Sequence, residues 1–293
     1  MKFQRNALLL FFIAAFVFAC GPKGDQGKNS AEFSEAEKSL NEEIKDIAYN
    51  IPAPSEIPYM LEATGAEFNQ SLVSDRKKAD SYKSQTDKAA LNLGVYTADI
   101  GYLSSYGKTQ ESIDYLNACK ALADDIGISG TFDRTTLEQF EKNIANKDSL
   151  AALLNQAMKK TDQYMKDENR SKLGALIVTG SFIESLYIST GIVKTYPKNI
   201  LPEDNRNQIL SPLMRIIVDQ RKSVSEVTKM LASVEQTGPI PTILADLKSL
   251  EASYAALNIE EQIRNNKANL ALTDKSLEEI TKITEKIRTD IVN

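Results

Sequence analysis

Apolar side chains recur every three to four positions from about residue 31 to the end of the sequence, which is the period of an amphipathic α-helix. In the first such segment, Phe33, Ala36 and Leu40 share one face, with Glu and Lys side chains opposite. No segment gives a convincing β-strand pattern, and the connections between segments are short. The pattern predicts an all-α fold, a single bundle-like domain of about ten helices packed as antiparallel neighbours.

Glycine and proline residues mark the predicted ends of individual helices. Gly107 ends a long apolar helix that begins near residue 89, and Gly127 ends the next helix, over residues 109–125. A long helix is predicted over residues 203–234, with a bend or a new start near Pro212. A further apolar stripe predicts a helix over residues 57–72, carried by Ile57, Leu61, Thr64, Phe68 and Leu72.

The first twenty residues have the parts of a secretory signal. Lys2 and Arg5 lie in a short segment without acidic residues, and thirteen apolar residues follow at positions 7–19. Thirteen residues are too few for a helix that spans a hydrocarbon core of about 30 Å. Cys20 follows directly, and residues 17–20 resemble a bacterial lipobox, which implies acylation of Cys20, with palmitate among the acyl groups. The alternative is an ordinary signal peptide that ends beside an incidental cysteine.

These features divide the chain into three predicted parts. Residues 1–19 form the signal peptide, and residues 20–33 contain the lipidated Cys20 and a flexible tether with the polar sequence GPKGDQGKNS. Residues 34–293 form the helical domain. The predicted location is the cell envelope, at the outer membrane, with the helical domain facing the periplasm or the exterior.

The composition excludes several kinds of chemistry. The sequence has no His, which excludes His general bases, Ser-His-Asp triads and His-ligated zinc, copper or iron. Neither a cofactor nor a metal site is predicted. The net charge of −5 becomes −7 when Lys2 and Arg5 leave with the signal. An acidic chain does not suit nucleic acid, and the predicted contact with the membrane is through acyl chains alone.

The body of the chain contains one cysteine, Cys119. It shares a helical stripe with apolar residues, among them Leu116 and Leu122. A lone thiol in such a stripe is predicted to be a small buried hydrophobic group rather than a reactive nucleophile.

Two segments 85 residues apart share a pattern of acid, tyrosine and hydroxyl residues. The first has the sequence DIGYLSS from Asp99, and the second has the sequence ESLYIST from Glu184. Each lies in the most apolar helix of its half of the chain, and each follows small residues, including Gly94 and Gly180 respectively. Because small residues let helix backbones approach closely, these two helices are predicted to cross at the centre of the domain.

The two acids have few charged neighbours in the sequence, so we predict that Asp99 and Glu184 are at least partly buried. In a structural interpretation, which we favour, Tyr hydroxyls or a Lys or Arg pair with the acids and fix the helix register. In a functional interpretation, Asp99 and Glu184 form a polar pocket for a cation, a sugar or a peptide, with Tyr96, Tyr102 and Tyr187. A carboxylate pair also suits glycoside hydrolysis, although such acids usually lie in an open cleft.

Four segments carry a resemblance to a known family: residues 51–57 (IPAPSEI), 91–99 (LNLGVYTAD), 141–143 with 147–150 (EKN and KDSL), and 184–187 (ESLY). Together they resemble a family of helical lipoproteins from Bacteroidota, over about residues 50–235. That family has no assigned activity, so the resemblance implies lipid anchoring and a helical fold, without a mechanism.

The sequence therefore predicts a lipid-anchored helical protein of the cell envelope. Its expected role is non-catalytic, as a scaffold or as the partner of another envelope protein. The alternative is a small-ligand binding protein that uses the polar pocket around Asp99 and Glu184. A hydrolase that uses these two carboxylates without any His is a third, less favoured interpretation. No catalytic residue is predicted.

Overall fold

The computed structural model describes residues 65–128, 134–143, 171–197, 202–258 and 277–293, and the single residues 146, 149, 153 and 156. All of them belong to one compact unit. This part of the chain is mostly helical and contains no strand, so the all-α prediction is confirmed for it. The predicted signal, Cys20, the tether and the first predicted helix lie outside the described residues.

Eight α-helices of ten or more residues build the described part. They are α1 (Thr86–Ser105), α2 (Thr109–Asp125), α3 (Arg134–Asn143), α4 (Ser171–Thr195), α5 (Glu203–Asp219), α6 (Arg221–Ser233), α7 (Ile240–Ala256) and α8 (Glu278–Val292). A short helix, Ala79–Tyr82, and two 3₁₀ turns, Gln70–Leu72 and Arg76–Lys78, precede α1.

The core is built around a close crossing of α1 and α4. A Cβ atom on Gly94 would overlap the carbonyl oxygen of Ile177 and would lie 2.7 Å from the amide nitrogen of Ser181. A Cβ atom on Gly180 would likewise overlap the carbonyl oxygen of Leu91. Each helix therefore places a glycine against the backbone of the other, and the predicted crossing is confirmed.

The helices α1 and α2, which are adjacent in sequence, pack antiparallel. The hydroxyl groups of Ser104 and Ser112, close to the connection, lie 3.1 Å apart. Further from it, the rings of Tyr96 and Tyr115 lie edge to face with their centroids 5.6 Å apart. By contrast α1 and α4, which are distant in sequence, run in the same direction past their crossing.

The predicted helix over residues 57–72 is wrong from Gly65 onward. Gly65 has a φ of +64°, and residues 66–69 are not helical. Asn69 then caps the single 3₁₀ turn Gln70–Leu72 by accepting a hydrogen bond from the amide of Ser71. Leu72 is buried and Phe68 stacks on Tyr102, so the two apolar positions pack on the core without a helical backbone between them.

The predicted long helix over residues 203–234 consists of two helices, α5 and α6, which meet at Gln220. Pro212 lies inside α5 and is not where the helix restarts. A proline removes one helical hydrogen bond, but the flanking Leu210, Leu213 and Met214 are fully buried and hold this turn against the core.

The helix α4 is long and apolar enough to cross a membrane, judged by length and composition alone. However, 83% of its most apolar window is buried inside the protein. A buried core helix can have the same length and apolar composition as a membrane-spanning helix. The contact with α1 accounts for the apolar composition of α4.

Cys119 is fully buried in α2, as predicted. Burial raises the pKa of its thiol to about 12, which keeps the group protonated and unreactive at neutral pH.

Replacing Gly94 with Ala is expected to lower the free energy of unfolding by about 3 kcal/mol, because the new methyl group has no space beside the Ile177 carbonyl. Urea unfolding followed by circular dichroism measures the loss. The control is Gly107→Ala, because φ is +67° there and no atom lies within 4 Å of the added Cβ. This variant is expected to lose only the cost of a left-handed backbone, about 1–2 kcal/mol. Equal losses in the two variants would contradict the close crossing.

Candidate functional site

Asp99 of α1 and Glu184 of α4 meet just beyond the glycine crossing. Both residues have no accessible surface. A side chain with zero accessible surface touches no space large enough for a water molecule, whether that space is inside the protein or outside it. The structure thus brings together the two acids that the sequence singled out and buries both of them.

Ser74 links the two acids to each other. Its amide nitrogen donates a hydrogen bond to Asp99 Oδ2 at 3.2 Å, and its hydroxyl donates to Glu184 Oε1, also at 3.2 Å. The segment that leads into α1 is therefore tied to both central helices through one residue.

Arg288 of α8 pairs with Glu184. Its Nε lies 3.1 Å from Glu184 Oε2, and its Nη2 lies 3.3 Å from Glu184 Oε1 and 2.7 Å from the hydroxyl of Ser74. The Arg288 side chain keeps 14% of its surface exposed, whereas that of Glu184 has none exposed. Arg288 therefore closes the acid pair on the side that faces α8.

Three predicted tyrosines have different positions relative to the acids. The ring of Tyr187 lies under the Arg288 guanidinium, with 4.5 Å from Cζ to the ring centroid. Tyr96 is buried beside the acids, and its hydroxyl donates to the Asp75 carbonyl at 3.1 Å. The Tyr102 hydroxyl points elsewhere and accepts from the Asn69 amide at 3.0 Å. Among the described residues no tyrosine hydroxyl is hydrogen-bonded to either acid, and the cation that pairs with Glu184 is an arginine.

Burial favours the protonated form of both carboxyl groups. Burial, together with the neighbouring Glu184 charge, holds the pKa of Asp99 well above its usual range. Burial also raises the pKa of Glu184, although the Arg288 guanidinium opposes this shift. Asp99 Oδ1 accepts no hydrogen bond from the described residues, so a proton on Asp99 would ease its contact with the Glu184 carboxylate. The cluster therefore favours a proton on Asp99 and a carboxylate on Glu184, which faces the Arg288 guanidinium.

This arrangement fits a structural role better than acid–base chemistry. A general acid or base must come within hydrogen-bond reach of its substrate, and neither carboxyl group touches space that a substrate could fill. No group of three or more Cys, Asp or Glu side chains placed to hold a metal ion occurs in the described part of the chain.

Sequence analysis missed Ser74 and Arg288. Arg288 directly follows the buried Ile287 and lies four positions after the buried Thr284 on the core-facing side of α8. An arginine on the buried face of an amphipathic helix was a usable signal for a buried acidic partner. Ser74 carries no comparable signal, because it lies in a polar connecting segment.

Comparison of the chain with protein-family models, with curated proteins and with solved structures finds no match.

Replacing Glu184 with Gln is expected to cost about 3–5 kcal/mol of stability, because it leaves the Arg288 guanidinium buried without a carboxylate. Asp99→Asn is expected to cost less, about 1 kcal/mol, since an amide N–H can replace the carboxyl proton as donor. Glu285→Gln is the matched control, because Glu285 forms a mostly exposed ion pair with Lys194. Urea titration of the three variants checks the order, and equal losses for Asp99→Asn and Glu184→Gln would contradict the assigned roles.

The stability difference between Asp99→Asn and the wild type is expected to depend on pH. The folded protein keeps the Asp99 proton at pH values where the unfolded chain has released it, that is, above about pH 4. Wild-type stability therefore falls by up to about 1.4 kcal/mol per pH unit from there until the folded pKa is passed, and Asp99→Asn lacks this loss. Unfolding at pH 5, 6.5 and 8 measures the difference, which should grow in favour of the variant. A constant difference would show that Asp99 is ionised in the fold.

Proposed function

We propose that the protein is a lipid-anchored protein of the cell envelope whose helical body has a non-catalytic role, as a scaffold or as the binding partner of another envelope protein. The observation that carries this proposal is the position of Asp99 and Glu184. These residues are the strongest candidates for acid–base chemistry in the chain, yet both are fully buried and Glu184 is paired with Arg288. In this proposal they join α1, α4 and α8 rather than act on a substrate.

Attachment to the membrane is assigned to Cys20. The basic segment, the apolar run and the cysteine directly after it support this assignment. The apolar helix α4 is mostly buried, so its composition is accounted for without a membrane. The outer membrane location and the relation to helical lipoproteins of Bacteroidota belong to the same proposal, and they rest on the sequence alone.

A partner that docks on the described helices would meet polar and charged side chains. Ile209, which is 37% exposed, is the single exposed large hydrophobic residue in the described part of the chain. Ion pairs cover other faces, such as Lys286 with Asp246 between α8 and α7. Contacts between exposed charges are screened by salt, so we expect the partner complex to weaken as ionic strength rises.

A small-ligand binding protein is the second candidate, and one observation favours it. Asp99 Oδ1 is buried and accepts no hydrogen bond from the described residues. Because Asp99 has no accessible surface, a ligand would reach this atom only after neighbouring side chains moved aside. A hydrolase that uses these carboxyl groups would need the same movement of side chains and, in addition, space for the attacking water.

Replacing Cys20 with Ser is expected to release most of the protein from the membrane fraction and to abolish palmitate labelling, because the acylated residue is lost. Fractionation of cells that express the full chain measures both effects. Cys119→Ser is the matched control and should stay with the membrane, since Cys119 is buried in α2. Equal partitioning of the two variants would overturn the anchor.

A photo-crosslinking residue at Ile209 or Lys282 is expected to capture one discrete envelope protein in intact cells. Both side chains are exposed, and they lie on different helices, α5 and α8. The adduct should weaken when cells are washed in 0.5 M salt before irradiation, and should be lost in the Cys20→Ser chain. If neither position gives a specific adduct, partner binding by these faces is contradicted.

A further inference from the structure

The cluster around Arg288 matches the shape of a guanidinium group as well as its charge. Nε and Nη2 of Arg288 each donate to a different oxygen of Glu184, at 3.1 and 3.3 Å. A planar fork of two N–H donors is specific to guanidinium, because an ammonium group is a compact point charge without a fixed plane.

Two further groups complete the match. The Ser74 hydroxyl accepts a third hydrogen bond from Arg288, at 2.7 Å. The Tyr187 ring covers one face of the guanidinium, with its centroid 4.5 Å from Cζ. A flat cation over an aromatic face gains both stacking and cation–π attraction.

We propose that Glu184, Ser74 and Tyr187 form a guanidinium-binding site, which Arg288 fills from within the chain and which binds an external guanidinium group when the Arg288 side chain is absent. The site is already shaped, because the central crossing fixes Glu184 and the Ser74 hydrogen bonds fix its second wall. Without Arg288, the Glu184 carboxyl group would stay buried beside Asp99 without its cation, and an external guanidinium group would restore the lost ion pair.

This inference goes beyond the proposed function, since it concerns a site inside the helical body and needs neither the anchor nor a protein partner. It names the ligand class as a guanidinium head group, which an arginine side chain of another molecule also presents. In the wild-type chain such a group must compete with Arg288, whose side chain is 14% exposed and therefore closes the site near the protein surface.

The test uses the full chain with Arg288→Ala and follows thermal unfolding in 20 mM methylguanidinium chloride, methylammonium chloride or sodium chloride. Methylguanidinium replaces the end of the lost side chain, and we expect it to raise the melting temperature of this variant by about 3 °C, with saturation. Methylammonium should act like sodium chloride. The wild type should show no selective response, because its site is filled.

Two control variants make the result specific. Arg288→Ala combined with Glu184→Gln should lose the methylguanidinium effect, because the fork has no carboxylate. Lys286→Ala removes a charge from the same helix, one that pairs with Asp246, and should show no selective effect. If Arg288→Ala does not fold, recovery of helical circular dichroism in each salt replaces the melting temperature. Equal responses to the three salts, or no response to any, would overturn the proposal in either format.

Discussion

The contact between the backbones of α1 and α4 is the constraint on which the rest of the structure depends. Gly94 and Gly180 each face a carbonyl of the opposite helix, with no room for a side chain between them. The helices run in the same direction from that point, and Asp99 and Glu184 follow the two glycines by five and four residues. Two acids at matching distances from the crossing must then meet in the interior. A larger residue at either glycine would separate the helices and with them the acids.

Burial of two carboxyl groups is costly when both are ionised, and the structure lowers this cost in two ways. Burial favours a proton on Asp99, and the guanidinium of Arg288 pairs with Glu184. A buried ion pair adds little net stability compared with a well-packed apolar core, because desolvation of the ions offsets their attraction. Its clearer effect is on specificity. Arg288 reaches the Glu184 carboxylate in one register of α8. The Ser74 hydrogen bonds fix the segment before α1 beside the same carboxylate.

The sequence predicted the features that arise locally and missed those that join distant segments. Helical periodicity and the glycines at 107 and 127 predicted α1 and α2, and the small residues predicted the central crossing. The pairing of Arg288 with Glu184 spans 104 positions, and a single sequence contains no signal for the distance between them. The error at residues 65–72 has another cause. Apolar residues at helical spacing can also pack on the core from an irregular segment, so their spacing alone does not require a helix. The break at Gln220, instead of Pro212, shows that buried neighbours can hold a helix together across a proline.

The network is also graded from the surface to the interior. Arg288 is the partly exposed member, Glu184 and Ser74 lie behind it, and Asp99 accepts a hydrogen bond from the Ser74 amide. Burial favours a proton on Asp99, whereas Glu184 faces the Arg288 guanidinium. Movement of α8 would take Arg288 away from Glu184, whereas Asp99 would keep its hydrogen bond from the Ser74 amide. Recognition of a cation and preservation of the central crossing thus depend on different parts of one network, and a change at the first need not disturb the second.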